Sequence, residues 1–474
     1  MTGLFTQWHG AALLIVYAAS MLGLTLVLHR YAEGKEEFLV GRREIGMWPA
    51  AFSIAATWVW APALFVAAQK AYQEGVAGVF WFTVPNALCL VLFAFFAERL
   101  RRRVPHGYTL PSFMGDRYSS RVQGAYLFQM VSLATCSFAV QLLAGGAAIS
   151  LLTGLPFWFV TVALAATALS YSLWSGIRAS VATDYAQMVI ILLVALTIVP
   201  WAVYAAGGLE VIARGLGGAS GQYASVFNAD VALAFGLPVT IGLLSGPFGD
   251  QSFWQRAWSV REKDVRRAFI WAAVIFALVP LTLCVPGFLA AGMGLAVASP
   301  QMVNLETILT LLPAWVAIPF AFMLLSGLIS TLDSNLCAIS GLAGHDAWEK
   351  TWVKGDPMIA ARWAMVGLAV AGIAIANIPG LSILHLFLFY GTLRASTLLP
   401  TVMTILDMRL TERGVFWGIV FAIAVGLPIF AYGNFGGGLW WTVGGSLLTV
   451  LSSGAVAWLI SRQDERAFVR AFQG

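Results

Sequence analysis

Charge is what this sequence has least of. Of its 474 residues only 10% are Asp, Glu, Lys or Arg, against about 25% in an ordinary soluble domain. So few charges cannot coat a water-facing surface, least of all one that must also hide 31 Phe and 19 Trp. Cysteine is scarce as well. Cys89, Cys136, Cys284 and Cys337 each lie in apolar sequence without paired spacing, which argues against a disulfide framework or a zinc site and for small core hydrophobes. The five histidines (His9, His29, His106, His345, His385) are scattered with no ligand spacing. The glycine-rich phosphate loop, the Gly-x-Ser-x-Gly nucleophile turn and the His-Glu-x-x-His zinc helix are all absent. Nothing resembles an ATP-driven pump, and no enzyme activity is expected: the sequence shows no catalytic constellation around the candidates Asp333 and His345.

Long apolar runs are what is there. The chain is 60% hydrophobic, and the runs are repeatedly about 20 residues long, enough to cross roughly 30 Å of hydrocarbon as a helix. A β-barrel would instead show short alternating segments. The class is therefore all-α, a single polytopic domain over 1–474 embedded in a lipid bilayer. Gly, Pro and charge as punctuation give about thirteen spans: 9–29, 47–73, 77–98, 122–147, 155–175, 179–204, 231–254, 267–291, 313–342, 360–378, 380–405, 413–432 and 439–461. The first apolar stretch lacks a basic flank and a cleavage site, so it reads as a retained helix. The segments 205–230 and 292–312 read as the longest outside loops, and no output domain is expected after 461.

The formal charge of +5 is a matter of topology and not of an acidic partner; no nucleic acid is expected. One face collects Arg30, Lys35, Arg42 and Arg43, then Arg99, Arg101, Arg102, Arg103, Arg117 and Arg121. The same face takes Arg256, Arg261, Lys263, Arg266 and Arg267, then Lys350, Lys354, Arg362, Arg462, Arg466 and Arg470. The other face has Lys70 and Arg214. This bias predicts an N-terminus outside and a C-terminus in the cytoplasm of a bacterial-type inner membrane.

Three spans carry features a lipid-facing helix avoids. In 47–73, Pro62 lacks an amide hydrogen and clashes with the carbonyl four residues back. Carbonyls near Ala56 to Val59 are then freed at mid-membrane depth, which is tolerated where backbone is buried in protein or lines a cavity; a simple packing kink is the alternative. In 231–254, Gly242, Gly246, Pro247 and Gly249 precede Asp250 and predict a second interruption. Two discontinuous helices five spans apart point to an inverted-repeat transporter, with repeats at 47–204 and 231–405. The third is span nine, Ser326-Gly-Leu-Ile-Ser-Thr-Leu-Asp-Ser-Asn335, whose adjacent Ser330 and Thr331 offer the neutral oxygens a hard cation wants. Hydroxyls at such positions also serve as interhelical glue. Asp184 is an ionisable group at the inner edge of span six, either interfacial or functional.

Read together, these residues resemble the sodium/solute symporter family of sodium/proline, pantothenate and sugar carriers. The matches run in the family's order over about two-thirds of the chain: Ser175-Gly-Ile-Arg-Ala-Ser-Val-Ala-Thr-Asp-Tyr-Ala-Gln187, Asp250-Gln-Ser-Phe-Trp-Gln-Arg256 and Ser330-Thr-Leu-Asp-Ser334. The resemblance implies the leucine-transporter type of inverted five-helix repeat. It also implies a sodium site, with the carbonyls of Ala56, Val59 and Gly327 and the hydroxyls of Ser330 and Thr331 as ligands. Asp184 matches the family acid on the sodium release path.

Two departures bear on the substrate. Trp58 stands where the proline carriers have an acid, and Gly246 stands at the likely match to the sugar carriers' aromatic gate. The stretch Thr57-Trp-Val-Trp-Ala-Pro, followed by Gly78-Val-Phe-Trp-Phe82 and a basic cluster ending in Val104-Pro-His-Gly-Tyr-Thr109, is most similar to the urea/polyamine branch. The expected function is sodium-coupled symport of a small polar solute, urea-like or a small carboxylate or amino acid. Trp58, Trp60 and Gly246 are the candidate pocket residues, with plain packing as the other reading of the tryptophans. A transporter-fold sensor and a sodium-independent channel are the rival functions.

Overall fold

The computed structural model describes residues 5–28, 34–348 and 356–473. Among these the chain is helical with no strand; an isolated bridge joins Ile45 to Val260. Eleven helices are long and apolar enough to cross a membrane. The sequence predicts about thirteen spans, and the difference is physical. The two spans read as interrupted are broken, which leaves the short pieces Met47–Trp58 and Ala229–Leu244 outside the count.

The first break falls where proline requires it. The helix Met47–Trp58 stops, Val59 leaves the helical region (φ −83, ψ 70), and Pro62 opens a π turn over Pro62–Val66. The freed Ala61 amide donates to Gln141 Oε1 at 2.7 Å. The second break runs from Ser245 to Asp250, between Leu237–Leu244 and Gln251–Ser259. Asp250 caps the new helix through the Ser252 amide at 2.9 Å, and Gln129 Nε2 donates to the Gly249 carbonyl at 3.2 Å. One helix, Ser120–Thr153, thus serves both breaks through two buried glutamines. Backbone groups at this depth have no water to turn to, so an unmade bond carries its full desolvation cost. Gln141→Leu is therefore expected to destabilise the protein by about 1–3 kcal/mol, measured as the loss in thermal unfolding, while Gln141→Glu at low pH loses less.

Elsewhere the chain reverses at glycines. Gly75 (φ 55) and Gly176 (φ 62) adopt a backbone that other residues rarely take. A Cβ at Gly75 would run into the Leu216 carbonyl, and one at Gly176 would sit 2.6 Å from that of Phe38. These reversals separate the second and third spans and the fifth and sixth.

Most of the basic segments meet at one end. Ile45 N donates to Ser259 O at 3.2 Å and Arg261 N to Ile45 O at 3.0 Å. Arg43 donates to the Gly107 carbonyl at 2.8 Å. Arg103 and Arg99 hold Asp407, and the hydrogen bond from Arg103, then that from Arg99, keeps this exposed carboxyl below the usual carboxylate range. Three expectations need correction. Arg256 is no loop residue but is buried at 1% exposure with an acid beside it. Lys70 is likewise interior, paired with Glu74 and set over the Phe235 ring. The segment 292–312 is not an open loop: it contains the helix Val303–Leu311, whose buried Asn304 donates to the Leu64 carbonyl at 2.7 Å. Arg30, Lys350 and Lys354 lie outside the described residues.

Candidate functional site

The helix Ala317–Gly341 is buried from Phe320 onward except at Phe322. Its hydroxyls at 326, 330, 331 and 334 recur at three- and four-residue spacing, so they line one strip. That strip lies against the first break. Gly327 makes the approach close enough: a Cβ there would stand 3.0 Å from the Val59 carbonyl oxygen. Thr331 Oγ1 donates to the Gly327 carbonyl at 3.2 Å and to that of Thr57 at 3.3 Å. Ser330 instead turns to Asp184, its hydroxyl donating to Oδ1 at 2.5 Å.

The structure therefore brings Val59, Gly327 and Thr331 to one place, with Ser330 on the adjoining helical position and Asp184 behind it. The Ala56 carbonyl is engaged by the Val59 amide at 3.0 Å, and Thr57 supplies the carbonyl that Thr331 touches. Hydroxyl and carbonyl oxygens keep lone pairs after such bonds. A donor set of neutral oxygens with no fixed countercharge suits a hard monovalent cation by the logic of oxygen-ligated ions.

Asp184 is fully buried, and its Oδ2 accepts from Ser53 at 2.6 Å and from Arg256 at 2.8 Å. Arg256 also donates to Ser53 Oγ at 3.0 Å, to Ser334 Oγ at 2.7 Å and to the Ser252 carbonyl at 3.1 Å. The Asp250-to-Arg256 motif thereby acquires a physical account. Gln251 clasps the Leu110 amide and the Tyr108 carbonyl, Gln255 donates to the Leu39 carbonyl at 2.7 Å, and Arg256 couples the second broken span to the first and to the polar helix. Asp333, one turn beyond Ser330, accepts from Ser172 through Oδ1, while its buried Oδ2 has no hydrogen-bond partner among the described residues.

The pocket candidates also converge. Trp58 and Trp60 stack with centroids 4.4 Å apart, although Val59 between them is buried elsewhere; the helix break turns both indoles to one side. Trp58 Nε1 donates to the Asn86 carbonyl at 3.1 Å. At Gly246 a Cβ would run into Trp58 Cη2 and stand 2.9 Å from Arg394 Nη1. Gly246→Ala is thus expected to destabilise by about 1–3 kcal/mol through overpacking; a melting curve checks it.

Arg394 is the residue that sequence reading passed over. It lies within Ile383–Ile405, is fully buried, and holds its guanidinium carbon 4.7 Å from the Trp60 ring centroid and 4.8 Å from that of Tyr390. A lone arginine in an apolar run was signal enough, since an ionisable residue inside a span marks a functional site by default.

A model of the sodium:solute symporter family matches residues 38–422. The probable urea active transporter 1 of Schizosaccharomyces pombe is 24% identical over 93% of this chain and 71% of its own length. The urea active transporter of Saccharomyces cerevisiae is 23% identical over 83% of this chain. The urea-proton symporter DUR3 of Oryza sativa subsp. japonica is 23% identical over 79% of it. The chain spans only 59% and 58% of the latter two relatives. Among solved structures, a Na+-coupled sialic acid symporter in its substrate-bound outward-open state superposes with TM-score 0.74 at 16% identity, covering 95% of this chain and 98% of that one. The nucleobase-cation-symport-1 family transporter Mhp1 gives 0.58 at 14%, covering 92% and 95%. At these identities the likeness shows the fold, which is of the leucine-transporter type.

Proposed function

The chain belongs to the sodium:solute symporter family, and from that premise we propose that it couples sodium entry to the uptake of a small polar solute by alternating access. The observation that carries the reading is the hydroxyl pair Ser330 and Thr331 set against the unwound backbone at Val59, with Asp184 bonded directly behind Ser330. Sodium bound by the Val59, Ala56 and Gly327 carbonyls and these hydroxyls ties the first broken span to the polar helix. Such a tie stabilises one arrangement of the two repeats, 47–204 and 231–405, only while the ion is present. Its release toward the basic, cytoplasmic end runs past Asp184, whose bond to Ser330 is the alternative partner once sodium leaves.

One charge crossing 100 mV is worth about 2.3 kcal/mol, roughly a fifty-fold concentrating power. No ATP site is needed. The solute sits beside Trp58, Trp60 and Gly246, and urea-like or small carboxylate solutes suit so narrow a site; three relatives named above are called urea transporters. Solute uptake into proteoliposomes under a sodium gradient alone tests the proposal. Uptake driven by sodium and not by a pH gradient supports it, and uptake indifferent to both indicates a passive pathway.

A second reading, protons in place of sodium, draws on Asp333, a buried carboxyl with one oxygen unpartnered. The same experiment separates the two, because a pH gradient then drives uptake without sodium.

A further inference from the structure

We infer that the solute is an anion, a small monocarboxylate, and that Arg394 is the residue that binds it. The inference rests on the solute-symport reading and narrows it, since the urea-like alternative carries no charge. Arg394 is wholly buried, yet among the described residues its Nε, Nη1 and Nη2 have no hydrogen-bond partner. Buried arginines are ordinarily paired, because an uncompensated charge in the interior costs several kcal/mol. Arg256 in this same chain makes four such bonds.

The surroundings of Arg394 are arranged to hold a cation without neutralising it. Its guanidinium carbon lies 4.7 Å from the Trp60 ring centroid, 4.8 Å from Tyr390 and 5.5 Å from Trp58, so three aromatic faces share its charge. Asp250, the acid at the neighbouring break, directs Oδ1 to the Ser252 amide and hydroxyl. The other unpartnered polar atoms beside it include donors: Trp60 Nε1 and the Tyr390 hydroxyl. Gly246 and Gly249 bring the second break against the arginine, with a Cβ at 249 only 3.0 Å from Arg394 Cβ. A cluster of unmet donors around a fixed cation, between the two broken spans, wants an acceptor with negative charge. A carboxylate fits the planar fork of guanidinium with two parallel bonds. Trp58, Trp60 and Tyr390 crowd the guanidinium, which favours a small solute.

The test is binding to the full-length protein in detergent, measured by thermal shift and calorimetry in sodium and in potassium. The probes are matched pairs that differ in charge and hardly in shape: acetate and acetamide, propionate and propionamide, lactate and lactamide, with urea alongside. At least one carboxylate is expected to bind tenfold or more tightly than its amide. Arg394→Gln should erase that preference, and Arg394→Lys, which keeps the charge and loses the fork, should keep the preference at weaker affinity. Equal or tighter binding of the amides or urea, no binding of any carboxylate, or an unchanged preference in Arg394→Gln would each overturn the inference. Sodium-dependent binding of urea would do so while leaving symport intact, whereas carboxylate binding that is the same in potassium would keep the anion site and remove the sodium coupling.

Discussion

Replacing Ser330 and Thr331 together by Ala is expected to abolish sodium-driven uptake while leaving a folded protein. Each hydroxyl is a neutral oxygen offered to a charged ion, and interactions with a charged partner are worth about 1.5–3 kcal/mol each. Losing two of them weakens sodium binding roughly a hundredfold or more, since each 1.4 kcal/mol is a factor of ten. The structural cost is smaller. Alanine is the best helix former, Asp184 keeps Ser53 and Arg256, and the Gly327 carbonyl loses only a second bond within its own helix. Uptake at matched protein levels, read beside a melting curve, separates lost coupling from lost folding. Retention of full sodium dependence in the double variant would remove these residues from the site.

The second large effect concerns the buried pair of Arg256 and Asp184, with side chains 1% and 0% exposed. Arg256→Met leaves Asp184 without its countercharge, and breaking a buried pair from one side costs about 3–5 kcal/mol. Asp184→Asn leaves the guanidinium with Ser53, Ser334 and the Ser252 carbonyl only and is expected to cost nearly as much. The double change Asp184→Asn with Arg256→Met removes both charges and should recover most of the loss, because neither is then stranded. Thermal unfolding of the four proteins gives the coupling directly. Additive losses would mean that the pair contributes as two separate hydrogen-bonding groups and not as a unit.

The two cases differ in how far the sequence exposes them. The breaks at Val59 and at Ser245 to Asp250 follow from Pro62 and from the cluster of Gly242, Gly246, Pro247 and Gly249, because helix-breaking chemistry is local. The strip on Ala317–Gly341 is equally local, a matter of hydroxyls at helical spacing. Arg256 is different. It stands next to a run of basic residues at a span end, where charge placement assigns it to the membrane surface; its partner Asp184 is 72 positions away, and only packing reveals the pair. Gln129 and Gln141 read as polar residues tolerated in a span, since nothing local says that each meets a backbone group freed in another helix. Val303–Leu311 is too short and too bounded by Gly, Ser and Pro to be told from a loop without the Leu64 carbonyl that Asn304 satisfies. Arg394 was legible, as a charge amid Ile383–Ile405, and its significance lies in the partners it lacks.

Saturable binding of radioactive sodium to the purified protein tests the central claim most directly. The expected result is binding that excess potassium does not displace and that disappears when Ser330 and Thr331 are both alanine. Equal binding by the double variant, or no saturable sodium binding by the unaltered protein, would contradict it.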